Sequence, residues 1–142
     1  MPGIRFSAAA LAAVLLVGCG AGAPPDPEPG ATLSGPIEMG DKATTAVITL
    51  KVSDDGSAIT SLSAFFTNLK CDGFSAGSMM SQEGSTHPIS GGTLQVDSTS
   101  LGKLTGTFTS PTAVAGSIEL TISQGIGSPI PCGTWDWSAK EE

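Results

Sequence analysis

Cys19, Cys71, Cys132, His87 and thirteen carboxylates are the groups from which a metal centre, a nucleophile or an acid–base pair would have to be built in this chain. A tetrahedral zinc site draws on about four Cys and His ligands, and one His with three dispersed Cys does not supply them. His87 sits in Ser85-Thr86-His87-Pro88, which reads as an exposed loop. A Ser–His–Asp site would also need a serine on a strained turn, and no GxSxG is present. Asp72, Glu83, Asp97, Glu119 and Asp136 are the carboxylates available for glycoside hydrolysis, which needs two of them about 5–10 Å apart. Aromatic platforms to seat a sugar are lacking, so these acids read as solubilising surface charge. Asp54-Asp55-Gly56 lacks the spaced ligands of a calcium loop, where roughly six to eight oxygens converge, and reads as a hairpin turn. Trp135 and Trp137 fall on one face of a single strand: they are core, or, if exposed, a ligand-stacking surface. The expectation is no catalytic residue, no metal and no cofactor.

The 142 residues are acidic, with thirteen Asp and Glu against six Lys and Arg, and poor in aromatics, with five Phe, two Trp and no Tyr. Nucleic acid is a poor partner for such a chain, because phosphate binding needs a cationic face. Arg5 precedes an unbroken run of apolar and small residues from Phe6 to Val17. The run is too short to cross a bilayer core of roughly 30 Å as a helix and suits a signal-peptide core. Leu16-Val17-Gly18-Cys19 follows, and it resembles the lipobox of bacterial lipoproteins.

That resemblance implies a signal peptide over residues 1–18, cleavage before Cys19, and a diacylglyceryl thioether on the Cys19 thiol with an acyl group on its amine. Two or three chains anchor stably where one, at about 0.8 kcal/mol per buried CH₂, does not. The alternative is an ordinary secretory signal cut after Gly20-Ala21 or Gly22-Ala23. Residue 20 is Gly and not Asp, which implies the outer membrane in a host with two membranes, and otherwise the outer face of the cytoplasmic membrane. With Cys19 taken by lipid in an oxidising compartment, Cys71 and Cys132 are left to pair as a disulfide.

Residues 19–33 read as the lipidated Cys and a Pro-rich tether, in which Ala21 to Ala31, with Pro24, Pro25, Pro27 and Pro29, reads as a solvated polyproline spacer of roughly 35 Å. From there the hydropathy alternates with period two, which predicts strands. Ile48, Leu50 and Val52 form one, and after the Asp-Asp-Gly turn Leu62, Ala64 and Phe66 form its hairpin partner. Leu94 and Val96, Leu104 to Phe108, Ile118 to Ile122, and Trp135 with Trp137 continue the pattern, with weaker candidates at Leu33–Ile37 and Phe74–Met80. Seven to nine short strands and no helical period predict an all-β domain over residues 34–142. An antiparallel two-sheet sandwich is the first expectation and a small β-barrel the second.

Gly102-Lys103-Leu104-Thr105-Gly106-Thr107-Phe108-Thr109-Ser110-Pro111-Thr112, continuing to Ala115-Gly116-Ser117, and the closing Cys132-Gly133-Thr134-Trp135-Asp136-Trp137-Ser138-Ala139 are similar to β-rich domains of uncharacterised secreted and surface proteins of bacteria. The resemblance implies an extracytoplasmic β-domain and brings no activity. The expected function is a lipid-anchored, non-enzymatic binding or structural module of the cell envelope. Membrane lipid would be met through acylated Cys19, and an envelope protein or polysaccharide would be the partner. A carbohydrate-binding module using Trp135 and Trp137 is the alternative, with an envelope hydrolase behind it.

Overall fold

The computed structural model describes residues 22–123 and 126–142, so the leader and Cys19 lie outside the described residues. Nine antiparallel strands follow in order: β1 (Thr32–Pro36), β2 (Thr45–Val52), β3 (Ala58–Cys71), β4 (Phe74–Glu83), β5 (His87–Ser90), β6 (Thr93–Ser98), β7 (Gly102–Ser110), β8 (Ala113–Ile122) and β9 (Ile130–Glu141). The predicted β2–β3 hairpin is present, in register from Thr45↔Thr67 to Lys51↔Ser61.

The sheet closes on itself. The last strand pairs with the first through Leu33↔Glu141 and Ser34↔Lys140, and β2 bridges β1 to β3. Eight strands therefore form a barrel, with β4 outside the ring. The two-sheet sandwich gives way to its barrel alternative, because one continuous hydrogen-bonded circuit leaves no pair of facing edges to divide two sheets. The reason β4 is excluded lies in β3, whose far edge is shared. Ala58 and Ile59 pair with β5, while Leu62 to Cys71 pair with β4. β5 is the thin link of the circuit, joined to each neighbour by two residue pairs.

An eight-stranded barrel has an interior just wide enough for side chains. Here it holds Leu33, Ile48, Leu50, Leu62, Phe66, Leu104, Phe108, Ile118 and Trp137, all buried to 1% exposure or less. Trp137 lies in the row Gly106↔Gly116↔Trp137 across β7, β8 and β9. Its indole occupies the space left by the missing side chain of Gly106, where a Cβ would stand 2.9 Å from Trp137 Cζ2. Its Nε1 donates to the Thr105 carbonyl at 3.1 Å, which satisfies the one polar atom of a buried indole. Trp137 is thus core and offers no face to a ligand. Trp135, in the row with Leu104 and Ile118, is half-buried against that core.

Each end of the barrel is fastened. At one end Cys71 and Cys132 are joined in a disulfide with Cα atoms 4.8 Å apart, linking the end of β3 to the start of β9. The two cysteines are 61 residues apart, a loop whose closure contributes on the order of 4 kcal/mol in the chain-entropy account.

At the other end the proline-rich segment lies against the strand turns. The Glu28 amide donates to the Pro111 carbonyl at 2.8 Å and the Gly30 amide to that of Ser53 at 2.9 Å, and Pro27 is buried. Gly92 has φ of +72° beneath Pro24 and Pro25, where a Cβ would come within 2.6 Å of Pro24 Cβ. From Pro24 on, the expected free spacer is instead a strap. Prolines have little conformational entropy to lose, and their rings cover the open mouth of the ring.

Replacing Trp137 by Ala should cost roughly 3–5 kcal/mol in denaturant unfolding, the range for a buried large aromatic. Gly106→Val should also destabilise, through the indole it displaces. An unchanged midpoint in either variant would contradict the packing described.

Candidate functional site

With the interior filled by side chains, a ligand has to bind on the outside of the barrel. The most built exterior surface is on β6 to β9, where outward residues stand in register across four strands. One row runs Asp97↔Lys103↔Glu119↔Thr134 and the next Gln95↔Thr105↔Ser117↔Asp136. Together, Asp136 excepted, they floor a shallow hollow of about 570 Å³. Lys103 stands between the two carboxylates of its row, and the Thr105 and Ser117 hydroxyls are hydrogen-bonded at 3.1 Å.

Chemically this is a hydrogen-bonding surface. Asp97 and Glu119 are two strands apart with a cation between them, which is unlike an acid and a base facing one substrate bond. A polyhydroxylated or mixed-charge ligand would find donors and acceptors here, but no aromatic face.

His87 is not in a loop. It opens β5, paired with Ile59, and its side chain is 15% exposed. Its Nε2 lies 4.0 Å from Glu83 Oε1 and has no hydrogen-bond partner. Both sit at the gap where β4 ends and β5 takes over the edge of β3. That gap is bridged by Ser81 Oγ donating to the Ser100 carbonyl at 2.9 Å and by Ser100 Oγ donating to that of Gln82 at 3.3 Å. Glu83 is held below the usual carboxylate range by hydrogen bonds from Ser98 and then Ser85. Ser98 is itself committed, its Oγ accepting from the amides of Ser100 and Leu101 at 3.1 and 3.2 Å. The cluster therefore mends the seam beside the thin strand β5. Sequence reasoning missed it because its members come from three elements that no local period relates.

Asp54-Asp55-Gly56 is the β2–β3 turn, as read. Asp55 Oδ1 accepts from Ser53 Oγ at 2.6 Å, Ser57 Oγ at 2.7 Å and the Ser57 amide at 3.0 Å, so the turn itself engages this oxygen. Among the described residues no group of three His, Cys, Asp or Glu side chains converges as a metal site. Of the remaining acids, Asp72 lies in the β3–β4 turn, Glu83 in the seam, and Asp97, Glu119 and Asp136 on the hollow's face. The structure brings Cys71 and Cys132 together, while Cys19 is outside the described residues.

No protein-family model, no curated protein and no solved structure matches this chain.

The Ser53 hydroxyl, followed by Ser57, lowers the pKa of Asp55 from 3.8 to about 2. A depressed folded-state value means that the turn's contribution is fully present above the unfolded pKa and is lost as pH falls through the folded one. Asp55→Asn should therefore flatten the acid limb of the stability profile between about pH 4 and pH 2, as followed by thermal unfolding at a series of pH values. A limb of unchanged slope would contradict the turn network.

Proposed function

We propose that this chain is a lipid-anchored protein of the cell envelope, held by an acylated Cys19, whose barrel is a non-enzymatic binding module. The observation that carries the reading is Leu16-Val17-Gly18-Cys19 placed directly after the apolar run from Phe6. Two features support it. The Cys71–Cys132 disulfide is compatible with an oxidising, extracytoplasmic compartment. Pro24 already touches the barrel at Gly92, so a lipid on Cys19 would hold the strapped end close to the bilayer.

A binding role without catalysis fits the titratable groups. Asp55 and Glu83 are engaged in holding turns and seams, and Lys103 separates Asp97 from Glu119. The outer membrane is the proposed address in a two-membraned host, on the Gly at position 20.

Metabolic labelling with a fatty-acid precursor tests the anchor. The native chain should carry label and partition into detergent, and Cys19→Ala should do neither. A labelled Cys19→Ala protein, or a native chain whose mature terminus lies beyond position 19 without lipid, would refute the reading.

The hollow on β6–β9 favours one refinement, a polyhydroxylated ligand such as an envelope glycan bound through hydrogen bonds and not through stacked tryptophans. Lys103→Ala and Gln95→Ala should each weaken glycan capture, by on the order of tenfold, without altering barrel stability. Capture indifferent to both would rule out that face.

A further inference from the structure

Among the described residues β4 is the one strand outside the ring, and its second edge is unpaired from Phe74 to Met80, before the contacts of Ser81 and Gln82 with Ser100 begin. Antiparallel ladders use the backbone groups of alternate residues, so about half of the N–H and C=O groups along this run point off the sheet. Natural edge strands are guarded by Lys, Pro, bulges or brevity. β4 is ten residues long and carries no charge and no proline from Phe74 to Gln82.

A second feature leads to the same edge. On the outer surface Pro36, Val47, Phe65 and Met80 stand in register across β1, β2, β3 and β4. Val47 is 44% exposed, Phe65 42% and Met80 61%. The flanking rows are polar, Thr45–Thr67–Ser78 on one side and Thr49–Ser63–Gln82 on the other. A single apolar row thus runs across the sheet and stops, half-covered, at an unpaired edge.

We infer that this edge is the site where a second copy of the chain pairs, β4 against β4 in antiparallel fashion about a two-fold axis near Gly77. The open run is self-complementary in that arrangement, as a two-fold contact requires. Gly77 faces its own copy, Ser75 faces Met79, Ala76 faces Ser78 and Phe74 faces Met80, with no charge anywhere in the overlap. The small residues Ser75 to Ser78 let two backbones approach, and a Cβ at Gly77 meets nothing within 4 Å in the single chain. Met80, at the end of the apolar row, would lie within the paired run. The chain is acidic and two copies repel, and the uncharged run of β4 is where that repulsion is weakest. Main-chain pairing supplies the affinity, and the uncharged run sets where along β4 it occurs.

Sedimentation equilibrium on the chain from Gly20 onward, which contains the whole closed ring, tests this. The wild-type chain should sediment as a dimer. Met80→Lys, at a site already mostly exposed, should raise the dissociation constant by on the order of tenfold to a hundredfold, since each copy then carries a lysine, the usual guard of an open edge, within the paired run. Gly77→Cys should cross-link to its own copy on oxidation, and Ser75→Cys, which faces Met79, should not. Intact Trp137 fluorescence in each variant shows that the barrel is folded. A monomeric wild-type chain would overturn the proposal and leave the edge to a strand of another protein. A dimer that ignores Met80→Lys and does not cross-link through Gly77→Cys would overturn it in favour of another face.

Discussion

The pairing of β1 with β9 is the interaction on which the structure depends. A sheet of eight strands that meets itself has one inside and one outside, and here the inside of so small a ring is filled by side chains. That constraint places Trp137 over Gly106, where a Cβ would meet the indole, while at Gly116 a Cβ would meet the β7 backbone at Thr105. It also moves every ligand surface to the exterior. The polar hollow on β6–β9 and the apolar row on β1–β4 lie outside because the interior is already full.

Closure is completed by devices that add little apolar area. With two Trp and five Phe in the whole sequence, the core is lean, and small domains of this kind gain much from constraint on the unfolded chain. The disulfide ties β3 to β9 at one mouth and the proline strap covers the other. Both act where strand ladders end and backbone groups would otherwise face water. The serine-rich seam at Ser81, Ser98 and Ser100 does the same beside β5, where two residue pairs alone carry the circuit. Keeping the ring narrow at β5 leaves β4 with an edge that no strand among the described residues covers.

The alternation of Ile48, Leu50 and Val52 with Thr49 and Lys51, and the Asp-Gly turn after it, was legible because both signals are local. The hairpin and the strand carrying both tryptophans follow from such signals, while the cysteine pair, 61 residues apart, followed from cysteine count and compartment. Three features did not. β5 is too short to show a period, so His87 looks like a loop residue until its neighbours β3 and β6 are in place. The prolines between 24 and 29 look like a spacer, since nothing in their own composition reveals the turns they rest on. Sandwich and barrel share one inward–outward pattern, so hydropathy cannot separate them. The candidate surfaces were least legible of all, because Asp97, Lys103, Glu119 and Thr134 become neighbours only through strand register.

What the sequence by itself determined is therefore the local chemistry. It specifies an all-β chain, its turns, its acidic and cation-poor surface, and a cysteine at position 19 in a lipobox-like setting. Which strand neighbours which, that the ring closes, that Trp137 is sealed and that β4 keeps a free edge were decided by tertiary structure alone. The physical reason is that strand pairing is a contact between distant segments, joining residue 33 to residue 141 here, and its energy resides in backbone hydrogen bonds common to all residues.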